Sequence, residues 1–284
     1  MPSVDLISLV ITTYNRSDAL AVVLDALALQ DDRQFEVIVA DDGSTASHQD
    51  AMLAAAKASG LALVHVWHPD VGFTASRVRN LGVAASKGNY VVFLDGDCVP
   101  ETDFVRQHRR LREEGCFVNG SRVMLSERLT QQALNGRTKV PGRSLFFWLW
   151  QRFSGGASKL GSLLRLPDFA GRTHARFQWK GIRSCNMGVW RQDFEAVNGF
   201  DESFVGWGHE DADFVLRLHN AGIKRKNGFC ATEVYHLWHK QASRTSESVN
   251  AATVRLRMQS AQVQPTIGYR ESKGAEDVVT RRWG

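Results

Sequence analysis

The chain has 284 residues, 43% of them hydrophobic, which is typical of one large globular domain or of a domain with an appendage. Its net charge of +5 is uneven, because residues 101–191 hold 17 Lys and Arg against 6 Asp and Glu, and this excess predicts an anionic partner. The four cysteines are scattered without a CxxC pair, which argues against a disulfide framework and a zinc site. The sequence shows no signal-peptide pattern and no apolar run long enough to span a bilayer. We therefore expect a cytoplasmic protein.

Strand and helix patterns alternate in the first hundred residues. The predicted elements are strands 6–11, 35–40, 61–67 and 90–94 and helices 17–30 and 74–86. Alternation with continuously apolar strands indicates a parallel sheet covered on both faces. The predicted fold class is therefore α/β, with a mostly parallel central sheet flanked by helices. Ligands of such sheets bind beyond the carboxyl ends of the strands.

Beyond residue 100 the pattern is looser. The predicted elements are a basic helix at 101–114, a strand at 116–125, an amphipathic helix at 211–222, a strand end at 232–239, and a helix with a mobile tail after 240. Residues 141–183 mix aromatic and basic side chains without a clear period. This stretch is either an interfacial segment resting on anionic lipid, which we favour, or core with a loop that gates the acceptor.

Three polar clusters follow predicted strands: TTYNR at 12–16, DDGS at 41–44 and DGD at 95–97. Because the strands are expected to be parallel, these clusters should meet at one edge of the sheet. Asp95 and Asp97 are one residue apart, with Gly96 allowing a sharp turn, so a positive group is expected beside them. Carboxylate oxygens suit Mg²⁺ or Mn²⁺, although a solvated turn is the simpler alternative.

Arg77 and Arg79 lie on the predicted helix before the DGD strand. Either could pair with Asp41, with Asp95 or with a phosphate, or could be exposed. A second Asp-x-Asp, at 211–213, lies on a predicted helix, where residues two apart face different directions.

Two groups of motifs carry a family resemblance. LVITTYNR, ADDGS and RNLGVAASKGNYVVFLDGD, in this order, resemble the N-terminal half of family 2 inverting glycosyltransferases of the nucleotide-diphospho-sugar (GT-A) fold. NMGVWRQDFEAVNGFDESFVGWGHEDADFVLRLHNAGI is similar to the C-terminal W-G-x-E-D module of galactosyltransferase-type enzymes. The resemblance implies a nucleotide-sugar-binding half at 1–100, an acceptor-binding and catalytic half of the same domain at 101–240, and a C-terminal helix and tail at 241–284.

The resemblance also implies the residues of the site. The candidates are Thr13, Tyr14, Arg16, Asp42, Arg79, Asp95 and Gly96 for the nucleotide sugar, Asp97 and His236 for Mn²⁺ or Mg²⁺, Asp211 and Glu210 for catalysis, and Trp207, Gly208 and His209 for the acceptor. His239 is the alternative to His236 as metal ligand. Either Asp211 or Glu210 could be the proton acceptor, since adjacent carboxylates raise one pKa while a helix N-terminus favours ionisation.

The activity that the resemblance implies is a single displacement with inversion. A UDP-sugar (Gal, GalNAc, GlcNAc, Glc or GlcA) would donate to a hydroxyl of a glycan or lipid-linked saccharide, as in polysaccharide or lipopolysaccharide biosynthesis. Peripheral contact with an anionic membrane would suit a lipid-linked acceptor. The acidic site edge argues against nucleic acid as the partner of the basic segment.

Two alternatives come from other functional classes. FLDGDCV also fits the D-x-D-x-[TV] strand of haloacid-dehalogenase-type phosphatases, which would make Asp95 a covalent nucleophile. A non-catalytic sugar-binding module would leave the base and metal positions idle. Release of phosphate or of nucleotide distinguishes the two enzymes.

Overall fold

The computed structural model describes residues 5–161, 164–179, 181–240 and 247–283. Strands and helices alternate through the first hundred residues as predicted, with one additional helix and one additional strand. In order they are β1 Ile7–Thr13, α1 Ser17–Ala28, β2 Phe35–Asp41, α2 Ala46–Ser59, β3 Leu63–Trp67, α3 Ala75–Ala85, β4 Tyr90–Asp95 and β5 Cys98–Pro100.

The second part of the chain is less regular. Its elements are α4 Phe104–Leu111, β6 Cys116–Asn119, β7 Ser121–Met124, α5 Glu127–Leu134, α6 Leu145–Phe153, β8 Thr173–His174, β9 Asn186–Trp190, α7 Arg191–Ala196, α8 Glu210–Asn220, β10 Lys224–Asn227, β11 Glu233–His236, α9 Glu247–Arg257, α10 Tyr269–Ser272 and β12 Val279–Trp283. Among the described residues, no helix combines the length and the apolar character that crossing a membrane requires.

Within the described residues, nine strands form one mixed sheet in the order β12-β3-β2-β1-β4-β9-β6-β10-β8. Strands β3, β2, β1 and β4 are parallel, and in their register Thr13 lies beside Asp41 while Thr12 lies beside Asp95. Beyond β4 the sheet continues with β9, which is antiparallel. The α/β fold class is therefore confirmed, and the carboxyl ends of β1, β2 and β4 meet at one edge.

The strand predicted over 116–125 is two strands in two different sheets. β6 belongs to the large sheet, whereas β7 lies beside β11 and β5 in a small three-stranded sheet. Gly120 separates them, and a Cβ atom there would lie only 2.2 Å from the side chain of Asn186. The chain turns from one sheet to the other at this position, and glycine is required there because any Cβ atom would clash with Asn186. β7 pairs there with β11, in a small sheet that also holds β5, the strand just after β4.

Two apolar layers cover the large sheet. One consists of side chains from α1, α2 and the small sheet, including Leu24, Met52 and Tyr235. The other consists of side chains from α3, α7 and α8, including Leu81, Phe194 and Phe214. The two layers hold the sheet rigid, so that loops at its edge present side chains from fixed positions.

The end of the chain differs from the predicted tail. β12 pairs antiparallel with β3, and Trp283 contacts His65 with ring centroids 4.5 Å apart. β12 covers the edge that β3 would otherwise leave open to other chains. Its polar sequence, VTRRW, carries little strand signal because the strand is exposed.

Candidate functional site

The predicted polar clusters line a cavity of about 730 Å³ where β1, β2 and β4 end, which we call the strand-end cavity. Cavities of about 300–1,000 Å³ are typical of small-molecule sites. The candidate residues on its wall are Thr13, Tyr14, Arg16, Asp42, Arg79, Asp95, Gly96, Asp97 and His236. Sequence positions as distant as 13 and 236 thus meet in one place.

A second cavity, of about 400 Å³, lies at the N-terminus of α8, and we call it the α8 cavity. The remaining candidates, Trp207, Gly208, His209, Glu210 and Asp211, line it. Both cavities share the side chains of Phe73, Arg79, Asp95, Arg122 and Trp207. Because they share these walls, the two cavities adjoin.

Arg79 joins the two cavities. Its guanidinium is 4% exposed and donates to Asp95 Oδ1 at 3.3 Å and to Glu210 Oε1 at 3.2 Å. Thr12 Oγ1 also donates to Asp95 Oδ1, at 2.9 Å. The positive group expected beside Asp95 is therefore an arginine. Its neighbour Arg77 pairs with Asp277, at 2.7 Å, and does not line either cavity.

The candidates at the end of β1 and just after it differ in exposure and in hydrogen-bond partners. Thr13 Oγ1 is buried and has no hydrogen-bond partner within the described residues. Tyr14 is half exposed and donates its hydroxyl to Asp70 at 2.8 Å, a bond that raises the pKa of the phenol. Arg16 pairs with Asp18 at 2.9 Å near the surface. A buried hydroxyl without a partner, on a residue of the cavity wall, is the strongest feature of this group.

The two aspartates of DDGS have separate surroundings. Asp41 is fully buried, with His65 Nε2 2.9 Å from Oδ2 and the Ser44 N–H donating to Oδ1 at 2.8 Å, so it holds the turn. Asp42 lines the strand-end cavity, accepts from the Thr74 N–H at 2.9 Å and lies 3.1 Å from His68. Only Asp42 can reach a ligand there.

Asp97 lies between two histidines, His236 at the end of β11 and His239 three residues later. His236 Nε2 is 3.7 Å from Asp97 Oδ1, and His239 Nε2 is 3.3 Å from Asp97 Oδ2. His236 is 8% exposed at its side chain and His239 36%. Burial lowers the pKa of His236, while Asp97 opposes this shift, so the imidazole is held in the neutral form that binds metal.

The residues around Asp97 fit a divalent cation. Ligand atoms of Asp97, Cys98 and His236 lie within 4.8 Å of one another. His236 Nε2 is too far from Asp97 for a hydrogen bond, and Nδ1 is buried without a partner among the described residues. Two ligands bound to one ion at about 2.1 Å stand roughly 3 Å apart, close to the observed separations. The Asp97 carboxylate suits Mn²⁺ or Mg²⁺, whereas the soft Cys98 thiol does not.

Asp211 and Glu210 begin α8. Glu210 is buried, with Oε1 on Arg79 and Oε2 without a partner within the described residues. Burial and the neighbouring Glu210 raise the pKa of Asp211 to about 7, against the opposing effects of Arg79 and the backbone N–H groups of Ala212 and Ser184. The like charge of Glu210, together with burial that the sequence does not reveal, therefore outweighs the effect of the helix N-terminus on the pKa of Asp211.

The WGHED segment reaches the α8 cavity through unusual backbone angles. Gly206, Gly208 and His209 have φ values of +78°, +106° and +69°. Two glycines adopt such angles without strain, whereas His209 is a residue that rarely does. The His209 ring lies 5.4 Å from that of Trp179, and Trp207 stands between the two cavities. Strain concentrated beside two carboxylates is typical of functional sites.

Some residues on the cavity walls were missed from the sequence. Arg122, on β7, lines both cavities and donates to the Cys185 sulfur at 3.8 Å. Phe73, Trp179 and Trp238 add aromatic surface. No motif marks these residues in the sequence. They reach the cavities through the positions of the small sheet and of the loops around it.

A relative among known proteins aligns with nearly the whole chain. Chondroitin synthase of Escherichia coli is 29% identical over 301 residues, covering 98% of this chain and 41% of its own. The chain thus spans about two fifths of the length of this relative.

Two solved structures share the fold. TarS of S. aureus has a TM-score of 0.59 at 14% identity, covering 94% of this chain and 41% of its own. The mannosyltransferase PcManGT from Pyrobaculum calidifontis, in complex with GDP-Man and Mn²⁺, has a TM-score of 0.53 at 15% identity, covering 89% of this chain and 70% of its own. These likenesses confirm the fold as GT-A-like, with a large mixed sheet flanked by helices.

Two protein families match successive parts of the sequence. Residues 166–240 match the family described as the N-terminal domain of galactosyltransferase. Residues 8–170, more than half of the chain, match the family described as glycosyl transferase family 2. Both predicted resemblances are confirmed, and the chain belongs to glycosyl transferase family 2.

Proposed function

We propose that this transferase is an inverting enzyme that moves a hexose from a UDP-sugar to a hydroxyl of a glycan or lipid-linked saccharide. The observation that carries the proposal is the bridge of Arg79 between Asp95 and Glu210. Arg79 joins the strand-end cavity, whose wall carries the residues expected to bind the nucleotide, to the α8 cavity, whose wall carries Glu210 and Asp211. A donor in the first and an acceptor in the second would therefore meet at Arg79.

The acceptor hydroxyl would lose its proton to Asp211. With a pKa raised to about 7, this carboxylate is a base matched to neutral pH. Glu210, with Oε1 on Arg79 and Oε2 without a partner within the described residues, would orient the acceptor beside Asp211. One base on one side of the sugar gives a single displacement, and an α-linked donor then yields a β-glycoside. No residue needs to act as covalent nucleophile, unlike in retaining hydrolases.

The donor would be held by the wall of the strand-end cavity. The hydroxyl of Thr13 and the carboxylate of Asp42 can bond the base and ribose, and Tyr14 and Arg16 lie at the mouth. Asp97 and His236 would hold Mn²⁺ or Mg²⁺, which stabilises the negative charge of the leaving diphosphate. Arg79 fixes Asp95 at this wall.

The acceptor would lie in the α8 cavity against Trp207. An indole face packs well on the apolar face of a sugar ring, and glycines on both sides of Trp207 leave room for it. The relative named chondroitin synthase supports a role in polysaccharide synthesis, and the complex of PcManGT with Mn²⁺ supports the metal. The sugar could be Gal, GalNAc, GlcNAc, Glc or GlcA.

The alternatives have less support. A phosphatase would use Asp95 as its covalent nucleophile, but residues 8–170 match a family of transferases. The family match is to transferases, which also disfavours a non-catalytic sugar-binding module.

A donor screen tests the proposal. The protein would be incubated with Mn²⁺, each UDP-sugar and a saccharide acceptor, and UDP and inorganic phosphate would be measured separately. We expect UDP release that rises with acceptor for one donor, and a β-linkage in the product by NMR. Retention of configuration, or phosphate as the only product, would contradict the proposed mechanism.

A further inference from the structure

Helix α6 exposes a row of large apolar side chains outside both cavities. Its sequence is LFFWLWQRF, and the exposed residues, which we call the α6 patch, are Leu145, Phe146, Leu149, Trp150 and Phe153. Phe146 is 81% exposed, Trp150 61% and Phe153 87%. Residues three, four and seven apart share a helix face, so the five side chains form one surface. Soluble proteins rarely leave such a surface uncovered.

The opposite face of α6 is well anchored. Trp148 is buried and stacks on Tyr235 of β11, with ring centroids 4.3 Å apart and planes at 4°. Ser144 caps the helix by accepting from the Phe147 N–H at 3.3 Å. The helix is therefore apolar on both sides, and its position is fixed by the face that does not carry the patch. A helix of this kind needs an apolar partner on its second side.

The surrounding charge selects the partner. Residues 128–167 contain seven Lys and Arg and no Asp or Glu. Of these, Lys139, Arg143 and Arg152 are exposed close to the patch in sequence, and the Arg143 guanidinium lies 5.2 Å from the Phe147 ring centroid. Exposed Trp and Phe flanked only by cations are typical of segments that enter the headgroup region of anionic membranes.

We propose that the α6 patch is a membrane-binding surface for anionic phospholipid. Phe146, Trp150 and Phe153 enter the interface, and Lys139, Arg143 and Arg152 bind phosphate headgroups. Through the Trp148–Tyr235 stack, the bilayer holds the small sheet that carries His236. Membrane binding itself does not depend on the proposed function. Only its consequence for catalysis rests on that function, namely that a lipid-linked acceptor would be presented at the membrane surface.

Vesicle co-sedimentation tests the proposal. The protein would be mixed with vesicles of phosphatidylcholine alone or with about one third phosphatidylglycerol, at ~0.1 M salt. We expect binding to the anionic vesicles and a loss of at least tenfold with Phe146→Ser/Trp150→Ser/Phe153→Ser. Arg143→Gln and Arg152→Gln keep the apolar residues and should weaken binding about fivefold each. All these side chains are exposed, and circular dichroism checks that the variants are folded.

A matched control comes from α9. Val249 and Leu256 are 66% and 70% exposed on a helix outside the basic segment. Val249→Ser/Leu256→Ser should leave vesicle binding unchanged, and equal loss in this variant would overturn the assignment. Three other results would also overturn the assignment: absence of vesicle binding, equal binding to phosphatidylcholine alone, and dimerisation through the patch as seen by light scattering. UDP binding in solution, measured on the same variants, should stay unchanged, so failure here is distinguishable from failure of the transferase proposal.

Discussion

Arg79 and Glu210 are 131 residues apart in sequence, and the guanidinium of one donates to the carboxylate of the other at 3.2 Å. Arg79 lies on α3 and Glu210 in the first turn of α8. Both side chains are buried, so the contact fixes the distance between the two cavities. The pair is therefore the structural link between donor binding and acceptor chemistry in the proposed mechanism.

Loss of this link should reduce both stability and activity. Arg79→Met leaves Asp95 and Glu210 without their shared cation, and a buried group without its partner costs about 1–3 kcal/mol. We expect a lower free energy of unfolding in urea and a fall of roughly a hundredfold in kcat/KM. Arg77→Met is the matched control, because its pairing with Asp277 lies outside both cavities. Equal loss in both variants would contradict a special role for Arg79.

The pH dependence of the reaction should identify the base. If Asp211 accepts the proton, kcat/KM rises with pH and levels off above an apparent pKa of about 7, because only the ionised carboxylate is active. Glu210→Gln removes the like charge that raises this pKa, so the midpoint should move to lower pH. Asp211→Asn should abolish turnover at every pH while UDP binding persists. An unchanged midpoint in Glu210→Gln would contradict this coupling.

The same raised pKa predicts an effect on stability. Asp211 is ordinarily ionised above pH 3.8, but in the folded protein its pKa is about 7. Between these values the folded state binds more protons than the unfolded state, so this group lowers stability as pH rises towards 7. Asp211→Asn removes the effect, and we expect a higher Tm than wild type at pH 8 with little difference near pH 4. Thermal melts at both pH values check this.

The choice between His236 and His239 as metal ligand can be tested directly. His236 is the more buried, whereas His239 Nε2 lies nearer to Asp97. A fixed, dehydrated ligand loses less entropy on binding, so we expect His236→Ala to weaken Mn²⁺ binding at least tenfold and His239→Ala by less than about threefold. The reverse ranking in Mn²⁺ titrations followed by electron paramagnetic resonance would assign the role to His239.

The structure is predicted best from the sequence where a strand is apolar along its whole length. The runs that became β1, β2, β3 and β4 are buried along their lengths, and their parallel order brings Thr13, Asp42 and Asp95 to one edge. Arg122, by contrast, reaches the cavities from the second sheet, into which the chain turns at Gly120. That turn depends on the packing of Asn186, far away in sequence.

Helix α6 and strand β12 escaped prediction for opposite reasons. α6 is apolar on both faces, so it lacks the periodic pattern that marks an amphipathic helix. β12 is mostly exposed and polar, so it lacks the apolar pattern of a strand and forms by pairing with β3. Similarly, the raised pKa of Asp211 comes from burial, which sequence spacing does not reveal.

The most direct test of the central proposal is calorimetric titration of UDP into metal-free protein, with and without Mn²⁺, for wild type and Asp97→Ala. Asp50→Ala, an exposed aspartate on α2, is the matched control. The proposed mechanism predicts that UDP binding depends on Mn²⁺ in wild type and in the control, and that Asp97→Ala loses this dependence. Binding that is absent, or that responds to neither Mn²⁺ nor Asp97, would contradict a nucleotide–metal site at the end of β4.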